Sequence, residues 1–158
     1  ARVDASRICI TGRSSGGLTV LCALIQYPDI FCAASSSYGI SDLKSLSQHT
    51  HKYELHYTTT LMGGTYEDLP GVYKARSALY HADKIRTPLL LLQGDQDRVV
   101  APDQSRRMAR AIESHAGKIK YIEFPSEGHG FRRSDTRQRA LEEEFAWCND
   151  AARIPEVC

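Results

Sequence analysis

Three residue types that together can activate a hydroxyl follow one another along this chain. Ser14 stands in "RICITGRSSGG", Asp97 in "LLLLQGDQD" and His129 in "YIEFPSEGHG". Each comes just after an apolar run. A serine hydroxyl is a weak nucleophile until a base takes its proton, and an imidazole serves as that base when a carboxylate orients it. The chemistry open to such a set is covalent attack on a carbonyl carbon.

The turn around Ser14 carries the first part of this reading. A serine exposed between a strand and a helix has crowded neighbours, so small residues are expected two before it and two after it. Gly12 and Gly16 hold those places for Ser14, whereas Ser15 has Gly17 after it but Arg13 before it. Ser14 is therefore the expected nucleophile. Ser15 follows it, and its main-chain N–H is expected to point at a developing oxyanion near the helix N-terminus. After the next motif, Asp95 and Asp97 compete for the place of the orienting acid. His129 alone among six histidines is framed by glycines soon after a strand; His49, His51, His56, His81 and His115 read as solvated or structural. "GDQD" reads as a polar turn or, more weakly, as a metal loop; no third carboxylate or regular loop supports a metal, so neither metal nor cofactor is expected.

The elements that must position these residues follow from periodicity. Strands are expected over Arg7 to Thr11, Phe31 to Ser37, Leu89 to Gln93 and Lys118 to Phe124. Helices are expected over Gly16 to Tyr27, from a Ser41-Asp42 cap to Leu46, over Tyr73 to Leu79, over Pro102 to Ala116 and from Ser134 to Arg153. The last should turn Ala140, Leu141, Phe145 and Cys148 inward. The continuous apolar run of "LLLLQG" suits a parallel strand covered on both faces. Strands alternating with helices imply a parallel sheet between helix layers, with working groups beyond the C-terminal ends of the strands. The polar excursion from Gln48 to Gly71 is expected to lie over the site. Tyr38, Leu61, Met62 and Tyr66 either line a substrate pocket there or only pack the loop.

Composition narrows the classes. With 158 residues the chain reads as one domain, and a formal charge of +1 gives no reason to expect nucleic acid as a partner. No apolar run approaches the ~20 residues of a membrane span. The chain does not start with Met, and the expectation is that it is a piece of something longer. The five cysteines are odd in number and include no CxxC. They read as reduced, small hydrophobes in a cytoplasmic protein, with Cys158 exposed at the end.

Taken together, these residues resemble the catalytic domain of the prolyl oligopeptidase family of serine peptidases, most of all its acylaminoacyl-peptidase and dipeptidyl-aminopeptidase-like branch. The likeness runs through "VDASRICITGRSSGG", "SSYGISDL", "THKYELHY", "YKARSALYHADKIRTPLLLLQGDQDRVV" and "EGHGFRR". It implies an α/β-hydrolase fold, here the C-terminal half with about four strands, in which residues 1–158 lack the family's N-terminal β-propeller and first hydrolase strands. It implies Ser14 as nucleophile, Asp97 rather than Asp95 as the orienting acid, and His129 as base. The expected activity is hydrolysis of short peptides by acyl transfer. The rivals are a carboxylesterase with the same triad, and an inactive fragment acting only through association. The first strand would be an edge, and an unpaired edge invites association between copies.

Overall fold

The computed structural model describes residues 3–49 and 58–152, with His49 described in its backbone alone. His51, His56, the "THKYELHY" segment and Cys158 lie outside the described residues.

Four strands form one parallel sheet in chain order: β1 (Cys9–Arg13), β2 (Ala33–Ser37), β3 (Leu89–Gly94) and β4 (Ile119–Phe124). Helices α1 (Ser15–Gln26), α2 (Leu43–His49), α3 (Pro70–Arg76), α4 (Asp103–Ser114) and α5 (Ser134–Ala152) alternate with them, along with 3₁₀ turns at Ala5–Arg7 and Ala78–Lys84. β1 begins and ends two residues later than the sequence suggests. Its register runs from Cys9 opposite Ala33 to Arg13 opposite Ser37, so ladder bonds carry the strand up to the serine itself. Arg7 belongs instead to the 3₁₀ turn that Asp4 caps.

β3 shows why the run of leucines is continuous. Leu89 and Leu91 pack on one face against Val20, Leu21 and Leu24 of α1 and Met108 and Ile112 of α4. Leu90 and Leu92 pack on the other face against Ile122, Phe124, Phe131 and Ala140. Burying each such side chain contributes roughly 1.5–3 kcal/mol. β2 has small residues for a different reason. Gly17 of α1 lies against it so closely that a Cβ there would come within 2.5 Å of Ser36 Oγ and 2.6 Å of Gly39 Cα.

Half of one expected face is corrected: Ala140 is buried and Cys148 half-buried as expected, but two residues are not. Leu141 and Phe145 of α5 are 56% and 73% exposed. The stripe facing the sheet runs through Thr136, Ala140, Glu144, Trp147 and Cys148, one residue out of step with the two large apolar side chains. The glutamates are tolerated against the sheet because they are partnered. Glu144 accepts from Ser35 Oγ at 2.9 Å, and Glu143 accepts from Lys120 Nζ at 2.6 Å. Ala140 and Trp147 on the same stripe join the apolar cluster of Leu90, Leu92, Phe124 and Phe131, so packing and hydrogen bonding favour the same rotation.

A third apolar cluster sits beyond the C-terminal ends of the strands. Ile40, Leu43, Tyr73 and Val100 are buried there, with Met62, Tyr66 and Leu69 packed against them.

Candidate active site

Ser14 lies between β1 and α1 with φ 55° and ψ −122°. A non-glycine residue with this backbone costs on the order of 1–3 kcal/mol, so its surroundings must hold it. Its N–H donates to Ser37 O at 3.0 Å, and its own carbonyl accepts from Gly17 N–H at 2.9 Å. The turn is tight enough that a Cβ on Gly12 would come within 2.8 Å of Val20 Cγ2 and closer still to the Gly16 carbonyl group. Only half of the spacing argument survives at this level. A Cβ on Gly16 would meet nothing within 4 Å, and the second close approach belongs to Gly17, against Ser36 and Gly39.

His129 stands in the loop after β4, and its Nε2 lies 2.9 Å from Ser14 Oγ. Its Nδ1 lies 2.8 Å from Asp97 Oδ2. An ionised carboxylate can only accept, so Nδ1 carries the proton and Nε2 is left to accept from the serine hydroxyl. Tyr38 sets its ring against the imidazole in an edge arrangement, with centroids 4.7 Å apart.

Asp97 is buried, and each of its oxygens is occupied. Oδ1 accepts from Val99 N–H and Val100 N–H, both at 2.9 Å, and Oδ2 also accepts from Gln93 Nε2 at 3.1 Å. Burial alone would push its pKa up. The hydrogen bond with His129 and the two valine N–H groups outweigh that and hold the carboxyl below its ordinary value. Asp95, its competitor in sequence, is exposed, and its main-chain N–H donates to Phe124 O at 3.1 Å.

Ser15 opens α1, so its N–H is among those that a helix leaves without an intrahelical acceptor. Beside it is an apolar cavity of about 230 Å³, lined also by Leu18, Ile40, Leu43, Met62 and Val100. Leu61 borders this cavity as well, while Tyr66 packs on Tyr73 and Tyr38 faces the histidine. Of the other histidines, His81 bonds Ala75 O and His115 caps α4; neither reaches Ser14.

Two supporting residues escape the sequence reading. Gln93 ends the leucine run of β3; it donates to Asp97 and accepts from Ser105 Oγ at 2.9 Å. Glu127 is 1% exposed, and its carboxylate accepts from Arg132 N–H at 2.7 Å and Arg133 N–H at 3.1 Å, closing the loop that carries His129. The visible signals were an amide at the end of an apolar strand and a carboxylate two residues before the histidine.

A parallel sheet of this order, with serine, acid and histidine each beyond a different strand, defines a fragment of the α/β-hydrolase fold. The chain belongs to the prolyl oligopeptidase family, whose sequence pattern it matches over residues 1–154. It is 32% identical over 133 residues to "Dipeptidyl peptidase family member 6" of Caenorhabditis elegans, covering 81% of this chain and 18% of that protein. It is 32% identical over 136 residues to "Dipeptidyl aminopeptidase BIII" of Pseudoxanthomonas mexicana, covering 84% of this chain and 20% of that one. Among solved structures, a puromycin-hydrolyzing peptidase of Mycobacterium tuberculosis superposes with a TM-score of 0.89 and 42% identity, over 95% of this chain and 22% of that chain. The chain thus spans about a fifth of the length of these proteins. Among the described residues, no helix is long and apolar enough to cross a membrane.

Proposed function

We propose that this chain is the C-terminal portion of a serine peptidase catalytic domain, and that it hydrolyses short peptides by acyl transfer through Ser14, His129 and Asp97. The observation that carries the reading is the unbroken hydrogen-bonded line from Ser14 Oγ through both ring nitrogens of His129 to a buried Asp97. Family membership supports the peptidase class.

In this mechanism Ser14 Oγ attacks the scissile carbonyl carbon while His129 Nε2 takes the hydroxyl proton. Asp97 stays ionised, holds the tautomer and stabilises the imidazolium. The carbonyl oxygen becomes an oxyanion, and the Ser15 N–H donates to it. The C–N bond then breaks as His129 returns its proton to the leaving amine. Water, activated by the same imidazole, cleaves the acyl-serine. The second oxyanion donor of this fold comes from an earlier loop, which we expect to lie in sequence preceding this chain. Without it, turnover should fall by on the order of 100- to 1,000-fold. The apolar cavity beside Ser15 favours a substrate with an apolar side chain next to the scissile carbonyl.

The test is a fluorophosphonate probe, with the adduct mapped by mass spectrometry and folding followed by circular dichroism. Slow labelling confined to Ser14, and absent in Ser14→Ala, is the expected result. A folded chain that stays unlabelled, or one labelled at Ser15, overturns the assignment. Peptide against ester turnover by the longer protein then distinguishes a peptidase from an esterase.

A further inference from the structure

Cysteines from three separate segments meet near the end of the sheet opposite Ser14. Cys9 opens β1, Cys32 directly precedes β2, and Cys148 lies on α5. Cys9 Sγ is 3.5 Å from Cys32 Sγ, across 23 residues of chain. It is also 3.9 Å from the main-chain oxygen of Cys148, across 139 residues. All three side chains are half-buried and occur as free thiols. The 3.5 Å approach of the Cys9 and Cys32 sulfurs is the geometry that sulfur–sulfur chemistry requires. The peptidase chemistry proposed above does not use these residues.

We propose that Cys9 and Cys32 are a reversible redox pair, closed to a disulfide by a low-molecular-weight disulfide and reopened by a thiol. Cys9 stands opposite Ala33 in the ladder, so a regular strand would turn Cys32 to the other face; Cys32 instead lies in the bend just before β2, where its N–H donates to Ile8 O at 2.9 Å and its sulfur comes to 3.5 Å from that of Cys9. The sulfurs must close from 3.5 Å to about 2.05 Å, which is within reach of side-chain rotation. In the first step one cysteine thiolate attacks the reagent RSSR, forming a mixed disulfide and releasing one RSH. In the second, the other cysteine sulfur displaces RS⁻, forming Cys9–S–S–Cys32. Two cysteine thiols are oxidised, the reagent is reduced to two RSH, and the two cysteine protons leave on those thiols.

The bond would staple the start of the edge strand to its neighbour. β1 carries Ser14 at its other end, so the staple acts on the strand that presents the serine. Burial raises all three thiols above their ordinary range. Closure is therefore slow at neutral pH and speeds up by about tenfold per pH unit as the thiolate fraction grows.

The test treats the folded chain with excess oxidised glutathione at pH 7 and pH 8, then alkylates it under denaturing conditions and maps the peptides by mass spectrometry. The expected result is a Cys9–Cys32 cross-linked peptide, a thermal midpoint raised by several degrees, and full reversal by dithiothreitol. Cys148→Ser should leave the cross-link unchanged, whereas Cys32→Ser should remove it. Cys22, half-buried on α1 away from the cluster, is the internal control. Glutathione carried on Cys22 or Cys9 with no cross-linked peptide overturns the proposal, and so does a cross-link that runs to Cys148 instead. Because the mapping needs only the unsubstituted chain, it holds even if a serine variant fails to fold. Its outcome is also independent of whether Ser14 reacts with a phosphonate.

Discussion

Gly94, the last residue of β3, lies against the main chain of Glu127. A Cβ at Gly94 would stand 2.8 Å from the Gly128 carbonyl oxygen and closer still to that of Glu127, and Gln96 N–H donates to the same Glu127 oxygen at 2.9 Å. The loop that carries His129 is thus seated directly on the turn that carries Asp97. No side chain separates them.

Gly94→Ala is expected to push the two loops apart, because both colliding groups are backbone and neither can rotate away. Phosphonate labelling of Ser14 should drop by at least tenfold while circular dichroism still reports a folded chain. Gly128→Ala is the matched control. A Cβ there meets only Gln96 O, at 3.9 Å, so labelling should change little.

Asp97→Asn should reduce labelling by about 10⁴-fold. The carboxylate now accepts from Val99, Val100, Gln93 and His129 together. An amide must turn its NH₂ towards one of those donors, or force His129 into the other tautomer and leave Ser14 without a base. Labelling kinetics across pH 6 to 9 check this; activity recovered merely by raising the pH would count against it.

Acid should destabilise the fold through the same groups. Burial would raise the Glu127 carboxyl, but the Arg132 N–H, the Thr136 hydroxyl and the Arg133 N–H outweigh it and hold the pKa below its ordinary value, as at Asp97. A carboxylate whose folded pKa is lowered contributes stability above its unfolded pKa and loses it as pH falls through the folded one. The thermal midpoint should therefore stay level down to about pH 5 and decline below about pH 4. Glu127→Gln should lower the midpoint at pH 7 and flatten the decline, as scanning calorimetry would show.

Burial predicts opposite outcomes for two apolar residues. Leu91 is 2% exposed between α1 and α4, so Leu91→Ala should cost about 2–5 kcal/mol in urea unfolding. Phe145 is 73% exposed, and Phe145→Ala should stay within about 0.5 kcal/mol of the parent.

Much of the site was legible in one dimension. Ser14 and His129 could be named as candidates because each sits a short step beyond an apolar run, and in a parallel sheet those steps all emerge at one end; Asp97 shared its step with Asp95, and only the family resemblance chose between them. The leucines of β3 announced a strand buried on both faces, since no amphipathic pattern interrupts them. Composition and spacing are local properties, and these features depend on little else. Tertiary contacts decided the rest. Asp97 was separated from Asp95 in the fold by which of them reached His129, and two residues of spacing carry no such direction. Gln93 and Glu127 matter through partners up to 12 residues away, which no short window contains. The rotation of α5 brought Ala140 and Trp147 to the sheet and left Leu141 and Phe145 outside, with Glu143 and Glu144 partnered by Lys120 and Ser35, far off in the chain. The meeting of Cys9 and Cys32 was likewise invisible, because it arises only when β1 and β2 pair. Periodicity tells a residue which element it joins; only packing tells it which neighbour it meets.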